Sequence, residues 1–234
     1  MSKQTVTVEA AATLILLRDS ATGPEVLMQQ RHPGAAFVGG AWVFPGGKVD
    51  LADHAPAWLE HVDITEDRAN RLLGVDAGGL AYWIAALRET AEEAGLLLAS
   101  QNGAAIPATL VNSVQRLLQE EPNRFLEFCQ QHELQLQTDA VRYLSRWITP
   151  EGLPRRYDTR FFLAPAPAGQ QAEQDTHEVV NTCWITPEKA LQHVQQGEWL
   201  MVLPTIATLR QLAGYEDVAT LLHRLGNHID AKCG

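Results

Sequence analysis

The chain has 234 residues, with 28 acidic against 18 basic side chains and a formal net charge of −10. Hydrophobic residues make up 46% and charged residues 20%, which suits a globular chain of one elaborated domain with ample core. An acidic chain repels a phosphate backbone, so stable nucleic-acid binding is not expected. An anionic small molecule stays compatible if a metal ion or a local basic patch screens the field.

Cys129, Cys183 and Cys233 are scattered and form no CxxC pair, so no disulfide framework is expected and a reducing, cytoplasmic compartment is. The longest early apolar run, Ala10–Leu17 interrupted by Thr13, is too short to cross a bilayer, and no membrane association is expected. The N-terminus lacks the layout of a secretory signal, and the final Asp-Ala-Lys-Cys-Gly is neither a prenylation box nor a peroxisomal tripeptide.

In chain order, Thr5–Arg18 and Glu25–Arg31 read as strands joined at the turn Asp19–Pro24, a hairpin. His32–Gly40 is a glycine-containing loop. Ala41–Phe44 is a short aromatic strand stopped by Pro45-Gly46-Gly47. Ala55–Leu73 reads as a helix broken by Gly74–Gly79, and Leu80–Leu98 is the clearest helix. Gln101–Pro107 reads as a loop, and Ala108–Gln119 and Asn123–His132 as a helical pair split by Pro122. Strands follow at Arg142–Thr149, Thr159–Ala164 and Glu178–Thr186. Helices are predicted at Pro187–Gln196, Pro204–Leu212 and Glu216–Leu225. The alternation predicts an α/β fold with a mixed sheet flanked by helices. A single domain is expected over residues 1–234, with helical insertions at about 54–79 and 100–140.

On the helix beginning at Leu80, Ile84, Leu87, Ala91 and Ala94 cluster on one face, with Glu89 and Glu93 roughly opposite and Glu92 to one side. Glutamates usually occupy a solvated face, but such a face mixes in lysines. Here the positions one turn from Glu89 and Glu93 are Ala85, Ala86, Leu96 and Leu97, and Arg88 stands one turn before Glu92. Like charges at these spacings repel by a few tenths of a kcal/mol, roughly, per pair. Converging carboxylates suit a hard divalent cation, which prefers oxygen ligands and removes the repulsion. Upstream, Pro45-Gly46-Gly47-Lys48 ends a strand with residues that let backbone approach a ligand or another element closely.

Gly47, Asp53 five residues later, and Arg88-Glu89-Thr90-Ala91-Glu92-Glu93-Ala94-Gly95-Leu96 together resemble the Nudix hydrolase signature. The departures are Asp53 for the usual Glu, Thr90 for an aliphatic residue, and 34 residues between Asp53 and Arg88 where the signature has seven, an insertion of 27. The insertion must loop out over Ala55–Gly79 and return the helix to its place. The chain is most similar to the long, inserted Nudix branch that includes coenzyme A diphosphatases. Matching segments are Gly39–Gly47, Trp147–Pro150, Arg156–Phe162 and Trp184–Pro187. A coenzyme A signature before the glycine loop is only partly present: Leu27-Met28, Arg31, Gly40 and Phe44–Gly47 fit, but its internal arginine falls near Ala36.

The resemblance implies a Nudix-type α/β/α sandwich and Mg²⁺- or Mn²⁺-dependent hydrolysis of a diphosphate linked to another moiety. Coenzyme A or acyl-CoA is the first substrate and a nucleotide-sugar or dinucleotide the alternative. It implies Glu89, Glu92 and Glu93 as metal ligands, Glu92 also as water-activating base, Arg88 as the residue orienting a box carboxylate, and Gly46 and Gly47 shaping the substrate loop. Glu178, next to Asp175 and His177, is the carboxylate from outside the box. Arg155, Arg156 and Arg160, the densest basic cluster, are candidates for a second anionic group such as a 3′-phosphate. Lys48 reads as a solvated lysine before a phosphate contact, and Trp42, Phe44, Tyr157, Phe161 and Phe162 as core before a base-stacking surface. Trp58, Tyr82 and Trp83 are expected to pack the insertion. A non-catalytic ligand-binding module would be marked by loss of a box glutamate. An isoprenoid diphosphate isomerase would need a pocket cysteine, for which Cys183 is the candidate. A homodimer is left open.

Overall fold

In the computed structural model, residues 6–35, 38–173 and 179–230 are described. The two opening strands, β1 (Val8–Ser20) and β2 (Gly23–Arg31), pair antiparallel with Ser20 opposite Gly23. The turn is therefore two residues rather than the predicted six. The Ser20 hydroxyl donates to the Gly23 carbonyl at 2.7 Å, and Gly23 takes a φ of 111° that suits a residue without a side chain.

Strands β3 (Trp42–Val43) and β4 (Gly46–Lys48) lean on β2 and β1. The later strands β8 (Arg142–Ile148), β9 (Arg156–Pro165) and β10 (Val179–Ile185) complete the main sheet in the order β10-β2-β1-β9-β8. Only β1 and β9 run parallel, so the sheet is mixed as expected. It is covered on both sides, which is why β1 reads as a nearly continuous apolar run. Ala12, Leu14, Leu16, Phe162 and Ala164 face one core. Ile15, Leu17, Phe161 and Leu163 face another, shared with Leu209 and Leu212 of α6 (Leu203–Leu212) and Leu221 and Leu225 of α7 (Val218–Asp230).

The first core is closed by α2 (Gly79–Ala94), and the insertion before it is not one helix. A 3-10 segment, Pro56–Glu60, precedes α1 (Glu66–Leu73), which Thr65 starts by accepting the Arg68 amide at 3.3 Å. Asn70 accepts the Gly79 amide at 2.7 Å and Glu66 accepts the Gly78 amide at 2.8 Å, satisfying donors at the start of α2. Trp58, Ile64, Ala69 and Leu73 join the core, with Trp58 against Phe125.

Helix α2 stops at Ala94 rather than running to Leu98. Gly95 adopts a left-handed conformation (φ 60°), and the Gln170 amide then holds Leu97 by both its N–H and its carbonyl, each at 2.9 Å. The predicted loop 101–107 contains a hairpin, β5 (Ala99–Gln101) and β6 (Ala104–Ala105), turned at Asn102 and Gly103, both at positive φ. An unpredicted strand, β7 (Leu134–Leu136), makes a three-stranded second sheet on β5. Between β6 and β7 lie α3 (Ala108–Glu120) and α4 (Phe125–Gln131), and α5 (Pro187–Gln195) follows β10. Among the described residues no helix is long and apolar enough to cross a membrane.

Candidate active site

The carboxylates of α2 are not on a solvated face. The helix is buried against the sheet on one side and the inserted segments on the other, and Glu93 is 5% exposed. Burying charge is costly unless each charge is paired, and Arg88, 2% exposed, supplies the pairing. Its Nε and Nη2 donate to the two oxygens of Asp53 at 3.0 and 2.9 Å, a fork-to-carboxylate match. Nη2 also donates to the Lys48 carbonyl at 2.9 Å and lies 3.4 Å from Asp50. Nη1 donates to Glu89 at 2.8 Å, whereas Glu92 stands off at 3.8 Å. The insertion thus loops out and leaves Asp53 and Arg88 in contact across 34 intervening residues.

The glycine loop is fitted to the helix at the same point. A Cβ on Gly47 would lie 2.4 Å from the Glu89 carboxyl carbon, and one on Gly46 would lie 2.4 Å from the Ala12 carbonyl oxygen. No side chain fits at either place. The Gly46 amide donates to Glu93 Oε2 at 3.0 Å. Gln29 of β2, which the sequence reading did not single out, donates to the Glu93 carbonyl at 3.0 Å and holds the last turn of α2 on the sheet. A polar residue two places after Leu27 in a buried strand was its signal. Thr90, where an aliphatic residue is usual, is fully buried and satisfies its hydroxyl on the Ala86 carbonyl at 2.7 Å.

The electrostatics are poised. Burial pushes Glu89 up to about 7 against the pull of Arg88, with Asp53 and Asp50 adding repulsion. Burial likewise raises Asp53, opposed by its bonds to Arg88. These groups share more negative charge than one guanidinium neutralises. Among the described residues no three His, Cys, Asp or Glu side chains form a ready ion cage.

Glu178, Asp175 and His177 lie outside the described residues. The three arginines singled out together are treated differently by the fold. Arg155 is exposed, Arg156 donates its Nε to the Thr149 carbonyl at 3.0 Å, and Arg160 is buried and paired with Asp158. Lys48 is ion-paired with Glu9 at 2.7 Å on the surface. Trp42, Phe44, Phe161 and Phe162 are core, and Trp83 packs on Phe162 with ring centroids 4.7 Å apart. Tyr82, half-buried against the core that the insertion shares, has its ring 5.3 Å from the Arg160 guanidinium. Burial pushes the Cys183 thiol up to about 11, which makes it a poor nucleophile or acid at neutral pH.

Comparison with known proteins follows the same lines. The chain is 29% identical to the acyl-coenzyme A diphosphatase NUDT19 of Gallus gallus over 239 residues, covering 84% of this chain and 63% of that protein. It is 28% identical to the Homo sapiens protein of the same name over 238 residues, covering 86% and 64%. It therefore spans less than two thirds of the length of these curated relatives. The crystal structure of a NUDIX hydrolase from Alicyclobacillus acidocaldarius superposes with a TM-score of 0.77 at 26% identity, covering 94% of this chain and 98% of that one. The family profile described as the NUDT19 Nudix domain matches residues 75–212, more than half of the chain, including Arg88, Glu89, Glu92 and Glu93. The chain belongs to the NUDT19 Nudix domain family.

Proposed function

We propose that the chain is a metal-dependent pyrophosphohydrolase acting as a single Nudix domain on a small-molecule diphosphate, with coenzyme A or an acyl-CoA as the first substrate class. The observation that carries this reading is the contact of Asp53 with Arg88 and of Gly47 with Glu89 across the insertion. The substrate class leans on the names of the relatives of Gallus gallus and Homo sapiens.

The donor chemistry fits Mg²⁺ or Mn²⁺. Mg²⁺ characteristically takes one or two carboxylates, several waters and substrate phosphate rather than a closed protein cage. Glu89 and Glu93 would hold it, with Glu92 as a further ligand. When bound, such an ion neutralises the diphosphate and acidifies water at the site. Glu92, the most exposed of the three at 21% of its side chain, is the group to take a proton from the attacking water. The water oxygen bonds to one phosphorus, the bridging P–O bond breaks, and the bridging oxygen leaves with the other phosphate. Arg88 is a positioning residue: its bonds are spent on Asp53, Lys48 and Glu89. The backbone at Gly46 and Gly47 lets substrate approach the carboxylates without a side chain between. Glu178 is retained as the carboxylate from outside the box. Unpaired thiols at Cys129 and Cys183 suit a reducing compartment such as the cytoplasm.

The test is a substrate panel with Mg²⁺ or Mn²⁺: coenzyme A, acyl-CoAs, NADH, ADP-ribose and dinucleoside polyphosphates, with products identified by mass. Release of 3′,5′-ADP and a phosphopantetheine from coenzyme A is expected. No cleavage of any diphosphate in the panel would reject the reading.

A further inference from the structure

The α2-facing side of the sheet carries a second set of charges. Gly47 stands opposite Ala12, Ala12 opposite Arg160, and Arg160 opposite Arg146, a single row across β4, β1, β9 and β8. Above this row runs α2. At one end the Glu89 carboxyl lies on Gly47, and at the other Tyr82 lies over Arg160. Tyr82 and Glu89 are seven residues apart, so they share one flank of the helix. At the usual strand spacing, the Arg160 backbone is about 10 Å and the Arg146 backbone about 14 Å from Gly47.

The charges at the far end do not cancel. Arg146 donates to Asp158 through Nε at 2.8 Å and Nη2 at 2.7 Å, and Arg160 bonds the same carboxylate through Nη1. Among the described residues, two guanidiniums on one carboxylate leave one positive charge over. Arg160 is 2% exposed, yet its Nε has no hydrogen-bond partner among the described residues. A buried donor without an acceptor is costly and marks a place where water or a ligand belongs. The Arg146 side chain is 49% exposed, so it can reach a ligand while Asp158 holds it. The next row out, Ala10–Asp158–Ile148, offers a small residue and an exposed apolar one as floor.

We infer that this end of the α2 flank is an anion subsite. Arg146, supported from below by Arg160, receives a second phosphate or carboxylate of the molecule whose diphosphate lies at Glu89 and Glu93. The inference rests on the diphosphatase reading and refines its substrate class: a diphosphate that carries a further anionic group. It moves the second-anion role from Arg155 and Arg156 to Arg146, which an alternation of charged residues on two paired strands hides from a linear reading.

The experiment compares coenzyme A with 3′-dephospho-coenzyme A on the unaltered protein, Arg146→Ala and Arg146→Lys. Arg146→Ala should raise KM for coenzyme A about tenfold, the usual size of one charge-assisted contact, with kcat unchanged. The KM for the dephospho form should stay within about twofold, and Arg146→Lys should recover part of the loss. An equal change for both substrates, or none, while both are cleaved, overturns the subsite and leaves the diphosphatase reading intact. Calorimetric titration with 3′,5′-ADP reads the subsite without turnover. Weaker binding to Arg146→Ala supports it even if neither coenzyme is cleaved, and unaltered binding overturns it.

Discussion

Two inserted segments pack against α2, and they treat it differently. The first, residues 54–79, follows directly on Asp53, which grips Arg88; its Asn70 and Glu66 take amides at the start of the helix, and its Trp58, Ile64, Ala69 and Leu73 join the core. The second, residues 99–141, reaches it mainly through apolar packing from Val111, Val114 and Leu118, with Gln115 bonding the Glu92 carbonyl and Trp83 bonding the Val141 carbonyl. The lesson is a division of labour. Asp53 and the first segment fix Arg88 and the start of the helix, and the second segment packs against its back.

That contrast can be broken by substitution. Asp53→Ala leaves a buried guanidinium without its main partner and should cost about 3–5 kcal/mol of stability by denaturant unfolding. It should also lower kcat in whatever fraction folds, because Arg88 is released from the site. Leu118→Ala removes apolar packing from the second insertion and should cost about 2–5 kcal/mol, with kcat per folded molecule unchanged. A matching loss of kcat would dissolve the distinction between the two segments. Glu93→Gln keeps the shape and should reduce turnover on the order of a hundredfold or more, with little change in unfolding midpoint. Asn70→Ala is the smallest: about 1 kcal/mol for the lost cap, read as a fall in Tm of roughly 2–4 °C.

How much of this was legible depended on range. Glu89, Glu92 and Glu93 stand within one helical turn and a half, so their pattern was readable directly, and the mixed sheet followed from the alternation of strands and helices. The Asp53–Arg88 contact was legible only through a signature that tolerates a loop between its halves, since no local rule joins residues 35 positions apart. The solvated-face alternative for the glutamates failed because the glycine loop closes on that side of α2, with Gly47 against the Glu89 carboxyl and the Gly46 amide on Glu93. The hairpin at 99–105 was missed although Asn102-Gly103 is a strong turn signal; its strands are only two or three residues long and carry no alternation. The end of α2 at Gly95 was overrun because Leu96–Leu98 are apolar, and their burial comes from extended chain held by Gln170 rather than from helix.

The central claim is that the flank of α2 beside the glycine loop binds a divalent ion. Titration of Mn²⁺ into the unaltered protein and Glu93→Gln, followed by electron paramagnetic resonance, tests it most directly. The account predicts loss of the free-ion signal with the unaltered chain and a binding curve displaced to at least about tenfold higher Mn²⁺ with the variant. Identical curves, or no binding by either, would contradict it.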